Sequence, residues 1–278
     1  MTAIPEIAPS MTPLARRVLT AALLLAVFVP AALWAPAWLW ALLMAAVVGA
    51  AAYEWATLSR FPVTAARFYA VGLAAGALLL HKLTGADWPL VQGGLVLLAL
   101  AFWLVVAPLW LAGKWQAPQR FVRAAVGVIL LLPTWVALLY LHARGPAVLL
   151  GVMAVVWIAD TAAYFFGRQF GRHKLAPTIS PGKTWEGVAG ALLALALYAA
   201  ILSQYTAMPL LPLFLMLAGL LYLSVLGDLY ESWIKRVAGM KDSGTLLPGH
   251  GGALDRIDAL TSTLPIATGM LLWLEHAL

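Results

Sequence analysis

The sequence predicts an all-α polytopic membrane protein with about nine transmembrane helices and a cytoplasmic N-terminus. The chain has 278 residues, of which 64% are hydrophobic and 10% are charged, and its mean hydropathy is +0.93. A soluble domain carries about 25% charged residues and about 45–50% apolar ones. One soluble core could not bury so much apolar surface, so an ordinary cytosolic enzyme, a disordered chain and a secreted module are excluded.

Nine apolar segments approach the roughly 20 residues that a helix needs to cross a bilayer. A short turn at 34–36 separates the first two. Arg16 and Arg17 precede the first segment as in a signal peptide, but eight further segments follow, so we expect an uncleaved anchor. The predicted spans are residues 18–34, 37–58, 66–82, 88–112, 122–142, 146–166, 186–204, 209–227 and 259–277.

The distribution of basic residues supports this count. With the N-terminus inside and the spans alternating, 15 of the 17 Lys and Arg residues lie on the cytoplasmic side. Only Lys82 and Arg144 lie outside, as expected because cytoplasmic loops collect Lys and Arg. We therefore attribute the net charge of +6 to orientation in the membrane and to contact with anionic lipid, and we expect no nucleic-acid partner. The absence of cysteine excludes disulfides, thiolate metal sites and cysteine nucleophiles.

Acidic residues divide the chain into two regions. Seven of the 11 Asp and Glu residues lie between positions 160 and 258, in or beside two polar cytoplasmic loops. We therefore predict a five-helix scaffold over residues 1–145, which carries almost no chemistry. Residues 146–278 form the predicted catalytic region of four helices.

The first polar loop contains Gly182-Lys183-Thr184, which is reminiscent of a phosphate-binding P-loop. That motif needs a glycine five positions before Gly182, where Pro177 stands, and a preceding strand in a soluble fold, so we reject it. Small residues and a lysine still suit an anion. The alternative is that Ser180-Pro181 only begins a helix and that Lys183 only orients the protein.

The second polar loop carries the densest cluster of charges. If the eighth span continues as a helix, Asp228, Glu231, Ser232 and Lys235 share one face. Asp255 and Asp258 would share a face at the start of the ninth. Carboxylates beside lysines suit Mg²⁺, which prefers oxygen ligands.

Each of these residues also has a structural interpretation. Aspartates at a helix start cap it, so Asp255 and Asp258 could serve only that purpose. Lys235 and Arg236 could contact lipid headgroups, and for His250 filling a turn is favoured over metal ligation. Asp160 lies within the sixth span, where an ionisable group is costly and is a functional candidate by default; the alternative is a buried hydrogen bond to a neighbouring helix.

The stretch 232–258 resembles the signature of phosphatidate cytidylyltransferases (CDP-diacylglycerol synthases). The matching residues are Ser232, Lys235, Arg236, Lys241, Asp242, His250, Gly251, Gly252, Asp255, Arg256 and Asp258. Upstream, residues 159–168, 173–177, 180–187 and 227–232 are similar to further family segments. Ala253 and Ala162 depart from the usual residues, a larger aliphatic residue and a glycine.

The resemblance implies that CTP and phosphatidic acid react to CDP-diacylglycerol and pyrophosphate with Mg²⁺. We assign the catalytic roles to Asp228, Asp255, Lys183 and Lys235. Phosphate binding is assigned to Ser180, Lys183, Lys235, Arg236, His250, Gly251, Gly252 and Arg256. Asp228, Asp255, Asp258 and Asp160 are the predicted ligands of Mg²⁺, with a second metal ion left open.

The resemblance also implies a homodimer in a bacterial inner membrane, with the site on the cytoplasmic side. Two other functions remain open. A CTP-dependent lipid kinase, or a cytidylyltransferase for another lipid phosphate, would use the same types of residue. A transporter is less favoured, because transporters place charge near the bilayer midplane, whereas here it lies in two loops on one face.

Overall fold

The computed structural model describes residues 13–84, 88–116 and 119–277, without the side chains of residues 13–17 and 276–277. The described chain is almost entirely helical, with one two-stranded antiparallel hairpin. Its helices are α1 (Pro13–Trp34), α2 (Ala37–Leu58), α3 (Val63–Thr84), α4 (Trp88–Ala101), α5 (Ala107–Ala112), α6 (Arg120–Ala143), α7 (Pro146–Phe170), α8 (Trp185–Leu202), α9 (Leu210–Ala238) and α10 (Leu254–Ala277). The strands are β1 (Lys174–Ala176) and β2 (Ser180–Thr184). The prediction of an all-α polytopic membrane protein is confirmed.

Eight stretches of the described chain are long and apolar enough to cross a bilayer, and α1 adds a shorter apolar helix over Val18–Trp34. Together they account for the nine predicted spans. The predicted turn between the first two is confirmed, since α1 ends at Trp34 and α2 begins at Ala37. One span is made of α4 and α5, joined without a break by a π-helical segment, Phe102–Val106.

The structure differs most from the predicted spans at α9 and α10, which run further into the polar segments than hydropathy indicates. The helix α9 continues through Asp228 and ends at Ala238, where Gly239 adopts a left-handed conformation with φ 77°. Such a glycine is a common helix end because it lacks the Cβ that makes this conformation costly. The last turns of α9 therefore carry charged residues on a rigid element.

The hairpin sits between α7 and α8. Its strand β2 includes Ser180 and Lys183, so Ser180-Pro181 does not begin a helix. The helix α8 begins at Trp185 instead, because the hydroxyl of Thr184 accepts a hydrogen bond from the backbone N–H of Gly187 at 3.1 Å. This cap fixes the hairpin directly against the start of α8.

Aromatic packing holds the π-helical segment and α5 against α9, beneath the charged segment. Phe102 and Trp103, in the π-helical segment, contact the buried ring of Tyr230 with centroids 5.4 and 5.7 Å apart. Trp110 of α5 contacts the same ring at 5.7 Å, and the indole N–H of Trp103 donates to the carbonyl of Thr261 on α10 at 3.0 Å. These contacts fix the rotation of α9 and therefore the direction in which its charged face points.

Candidate active site

The two polar segments predicted from the sequence meet at one end of the helix bundle. Lys183 of β2 and Asp228 of α9 form an ion pair, with Nζ and Oδ2 2.5 Å apart. Ser232, one turn further along α9, donates a hydrogen bond to the other oxygen of Asp228 at 3.2 Å. The hairpin and α9 are thereby joined through charged side chains.

Lys235 is the centre of a second, more deeply buried cluster. Its ammonium lies 2.7 Å from Oδ1 of Asp255 and 3.2 Å from Oε1 of Glu231. The side chains of Lys235, Glu231 and Asp255 are 10, 4 and 6% exposed. Buried charges are tolerated where they are paired in this way. The predicted one-face arrangement of Asp228, Glu231, Ser232 and Lys235 is confirmed by these contacts.

Asp255 also organises the loop between α9 and α10. Its Oδ2 accepts hydrogen bonds from the backbone N–H groups of Ser243, at 2.9 Å, and Gly252, at 2.8 Å. Gly251 has φ 83°, and a Cβ there would lie 2.6 Å from Asp255 Oδ2. Only glycine suits both demands, so this part of the predicted glycine-rich turn is built around the carboxylate.

Asp160 and Asp258 complete the set of predicted acidic residues. Asp258 accepts a hydrogen bond from the backbone N–H of Ala259 at 2.7 Å. Its charge lies close enough to interact with the charges of Asp228, Lys235 and Asp160. The acidic residues Asp160 of α7, Asp228 of α9 and Asp258 of α10 are thus near enough to one another to interact electrostatically.

Two cavities open at this end of the molecule. The first, of about 450 Å³, lies between α7, β2, α8 and α9, and we call it the helix cavity. One part of it is lined by polar residues, namely Asp160, Arg168, Ser180, Lys183, Thr184 and Asp228. The rest is lined by apolar residues, namely Ala159, Ala163, Val188, Ala191, Leu221 and Val225. An apolar groove of about 280 Å³, which includes Trp185 and Leu192, shares Leu175, Val188, Leu221 and Val225 with it.

The second cavity, of about 730 Å³, is formed by the loop before α10, and we call it the loop cavity. It is lined by Lys241, Asp242, Gly244, Thr245, Leu247, Pro248, Gly249, His250, Gly251 and Arg256. Arg256 also lies close enough to interact electrostatically with Asp160 in the helix cavity. The two cavities are therefore near each other, and Arg256 belongs to the wall of the loop cavity.

Two predicted phosphate-binding residues are engaged with the protein itself. The guanidinium of Arg236 donates to the backbone carbonyls of Ile179, at 3.5 Å, and Met240, at 3.4 Å, so it ties α9 to the hairpin turn. His250 donates its backbone N–H to Leu247 at 2.9 Å, which fits a turn-forming role. Its Nδ1 is nevertheless buried without a hydrogen-bond partner in the described part of the protein.

The predicted metal ligands fit a hard cation in their chemistry, because all of them offer carboxylate oxygens. Asp258 has a single backbone donor, and Oε2 of the neighbouring Glu231 is buried with no hydrogen-bond partner among the described residues. As these side chains stand, however, no three carboxylate, imidazole or thiol groups of the described chain are close enough to hold a metal ion. Asp228 and Asp255 are instead paired with lysines.

Glu54 of α2 is a part of this region that the sequence reasoning missed, since it assigned almost no chemistry to the first five spans. Its carboxylate is buried and accepts hydrogen bonds from Ser243, Ala253 and Leu254, at the loop and the start of α10. An isolated carboxylate within an apolar span is costly and is a signal that could have identified it.

Comparison with known proteins identifies the family of the chain. A family model described as "Cytidylyltransferase family" matches residues 15–274. A phosphatidate cytidylyltransferase of Pseudomonas aeruginosa is 39% identical over 271 residues, covering 93% of this chain and 97% of that protein. Proteins of the same name from Haemophilus influenzae and Brucella suis are 32 and 36% identical, over 91 and 81% of this chain and 96 and 80% of their own lengths. The chain therefore belongs to the cytidylyltransferase family.

Proposed function

We propose that this protein is a phosphatidate cytidylyltransferase, which converts CTP and phosphatidic acid to CDP-diacylglycerol and pyrophosphate. The observation that carries the proposal is the likeness to proteins of that name over nearly the whole chain. The convergence of the charged motif residues beside two neighbouring cavities supports it independently.

The helix cavity has the character that a lipid phosphate needs. One part carries Lys183, Ser180 and Arg168, which offer donors and positive charge to a phosphate. The rest is apolar and continues into the groove that contains Trp185 and Leu192, where acyl chains would remain out of water. Phosphatidic acid would therefore enter from the side, with its phosphate at the depth of the lipid headgroups.

The loop cavity suits the triphosphate of CTP. Lys241 and Arg256 bring positive charge to it, against the single carboxylate of Asp242. The glycine-rich turn brings the backbone of Gly249 and Gly251 to the cavity wall, where backbone N–H groups would face phosphate oxygens. Arg256 lines this cavity and interacts electrostatically with Asp160 in the helix cavity, so its charge would act on both reacting phosphates.

The reaction needs charge neutralisation more than a general base. A phosphate monoester has its second pKa at about 6, so the attacking phosphate is mostly dianionic at neutral pH. One of its oxygens would form a bond to the α-phosphorus of CTP while the bond to the β-phosphate breaks and pyrophosphate leaves. Lys183 and Arg256 would offset the negative charge of the two polyanions as they approach.

Mg²⁺ dependence is part of the proposal. Asp160, Asp258 and, once Lys183 releases it, Asp228 would hold one ion or two, with Asp255 as a further ligand if Lys235 releases it. Bound there, Mg²⁺ would supply positive charge to the triphosphate. The all-oxygen donor set and the single donor of Asp258 support this assignment.

The remaining parts of the proposal concern location and assembly. The concentration of Lys and Arg at this end supports an active site on the cytoplasmic face of a bacterial inner membrane.

A homodimer is supported by Gly72 and Gly76 on α3, where an added Cβ would meet no atom within 4 Å, since small residues let helices approach closely in lipid. Measuring the mass of the purified protein in detergent tests this part.

The decisive assay is pyrophosphate release by the purified protein with CTP, Mg²⁺ and phosphatidic acid, omitting each component in turn. We expect release only when all are present, whereas a CTP-dependent lipid kinase would produce CDP instead. Placement of the substrates is tested with Lys183→Met, expected to raise KM for phosphatidic acid, and Arg256→Met, expected to raise KM for CTP. Equal effects of both variants on both KM values would contradict the two-cavity assignment.

A further inference from the structure

We propose that Glu54, in the second transmembrane helix, is a positioning residue that holds the loop before α10 and the start of α10 in the geometry the reaction needs. Its carboxylate is the feature that connects the apolar N-terminal helices to the charged cluster. The expected effect on kinetics rests on the proposed function, whereas the contact of Glu54 with the loop and α10 is seen directly in the structure.

The carboxylate of Glu54 is surrounded by donors from one segment. Oε1 accepts from the backbone N–H of Ala253 at 3.0 Å, and Oε2 accepts from that of Leu254 at 2.9 Å. The hydroxyl of Ser243 donates to Oε2 at 2.8 Å. The donors lie about 190 to 200 positions away along the chain, so this contact exists only in the folded protein.

No countercharge accompanies this group: Glu54 is 4% exposed, and none of the ion pairs of the described residues includes it. A buried carboxylate without a cation is destabilising unless its hydrogen bonds are well made. Here two donors are N–H groups at the beginning of α10, where the helix dipole also favours negative charge. The carboxylate and the segment around Leu254 therefore hold each other in one arrangement.

The neighbouring glycines show how closely the loop is fitted to this carboxylate. A Cβ at Gly244 would lie 2.5 Å from Oε1 of Glu54, and one at Gly252 would overlap its Oε2. Gly252 also donates its backbone N–H to Asp255 at 2.8 Å. The loop is thus held between a carboxylate of α2 and a carboxylate of α10.

This arrangement gives Glu54 a route to the site without contact with substrate. Asp255 follows Leu254 directly and pairs with Lys235, and Arg256 comes next in the wall of the loop cavity. A shift or rotation of the first turn of α10 would move these side chains together. Glu54 prevents that movement by fixing two backbone amides of the turn.

The test compares Glu54→Gln with Glu275→Gln, a matched control at the far end of α10 that removes a carboxylate paired with Arg144. Hydrogen exchange is measured over residues 243–254, together with kcat and KM for both substrates. We expect faster exchange and a kcat/KM for CTP lowered about tenfold or more in Glu54→Gln only, because a lost hydrogen bond to a charged group commonly has this effect. KM for phosphatidic acid should stay within about twofold.

Ser243→Ala provides a second variant that keeps the charge and so protects the test against misfolding of Glu54→Gln. Alone it should lower kcat/KM for CTP about threefold, and combined with Glu54→Gln it should add almost nothing, because both remove the same contact. Unchanged exchange in Glu54→Gln, faster exchange with unchanged kcat/KM, or effects of the two substitutions that multiply would each overturn the inference. A wild-type protein that releases no pyrophosphate would overturn the proposed function instead, while the exchange measurement would still decide whether Glu54 holds the loop.

Discussion

Replacing Lys235 by methionine should destabilise the protein strongly, and a second substitution should recover that stability without recovering activity. Methionine keeps most of the length and the apolar stem of lysine but removes the ammonium. Glu231 and Asp255, 3.2 and 2.7 Å from that ammonium, then remain as buried negative charges. Of the two, Glu231 is affected more, because Asp255 keeps its hydrogen bonds from Ser243 and Gly252.

The magnitude follows from the burial of the cluster. At an effective dielectric constant of about 20, each pair at these distances attracts by roughly 5 kcal/mol, which mostly offsets the cost of removing the charges from water. Removing one partner leaves that cost uncompensated, and the measured loss in such cases is about 3–5 kcal/mol. For a protein of this size the melting temperature should fall by roughly 6 °C or more.

The assay is thermal unfolding of the detergent-purified protein together with pyrophosphate release. Lys235→Met should melt well below the wild type, and Lys235→Met combined with Glu231→Gln should regain at least half of the loss, because the uncompensated charge is gone. Both variants should be inactive. A single variant within about 1 kcal/mol of the wild type, or a double variant no more stable than the single one, would refute the view that Glu231 and Lys235 compensate each other.

Two further predictions concern packing and the opposite end of the bundle. Gly190→Ala should destabilise the protein by about 1–3 kcal/mol in thermal unfolding, because a Cβ on α8 would overlap the ring of Phe166 on α7. The control is Gly94→Ala on α4, where the added Cβ meets no atom within 4 Å, and it should be neutral or slightly stabilising. Glu275→Gln breaks a half-exposed ion pair with Arg144. It should lower the free energy of unfolding by at most about 1 kcal/mol and leave turnover unchanged. A large loss of activity in this variant would show that the outer ion pair affects the site.

Much of the fold follows from local properties of the chain. Hydropathy over about 20 residues locates most spans to within a few residues, because a lipid environment demands continuous apolar surface. The same is true of contacts within one helix: the positions of Glu231 and Lys235, four apart, already predict their pairing. The division into a scaffold over 1–145 and a catalytic region over 146–278 stays a prediction.

Hydropathy failed where a helix continues beyond the apolar segment. The sequence predicts the end of the eighth span near 227 because charges begin there, but α9 runs to Ala238. Charged residues such as Glu, Lys and Arg are compatible with a helix, so the backbone hydrogen bonds continue past the apolar segment, and α9 ends where Gly239 adopts its left-handed conformation. The metal ligands likewise stay a prediction, because Asp228 and Asp255 are both paired with lysines in the structure.

The sequence by itself determined the membrane class, the number of spans and the set of charged residues that gather at one end, while the orientation in the membrane stays a prediction. Only the tertiary structure decided which charge meets which: Lys183 with Asp228, Lys235 with Asp255, and Glu54 with the start of α10. The physical reason is the distance along the chain over which each effect acts. Apolar length and helical periodicity act between neighbours along the chain, whereas these contacts join residues from 20 to 200 positions apart and depend on how the helices pack against one another.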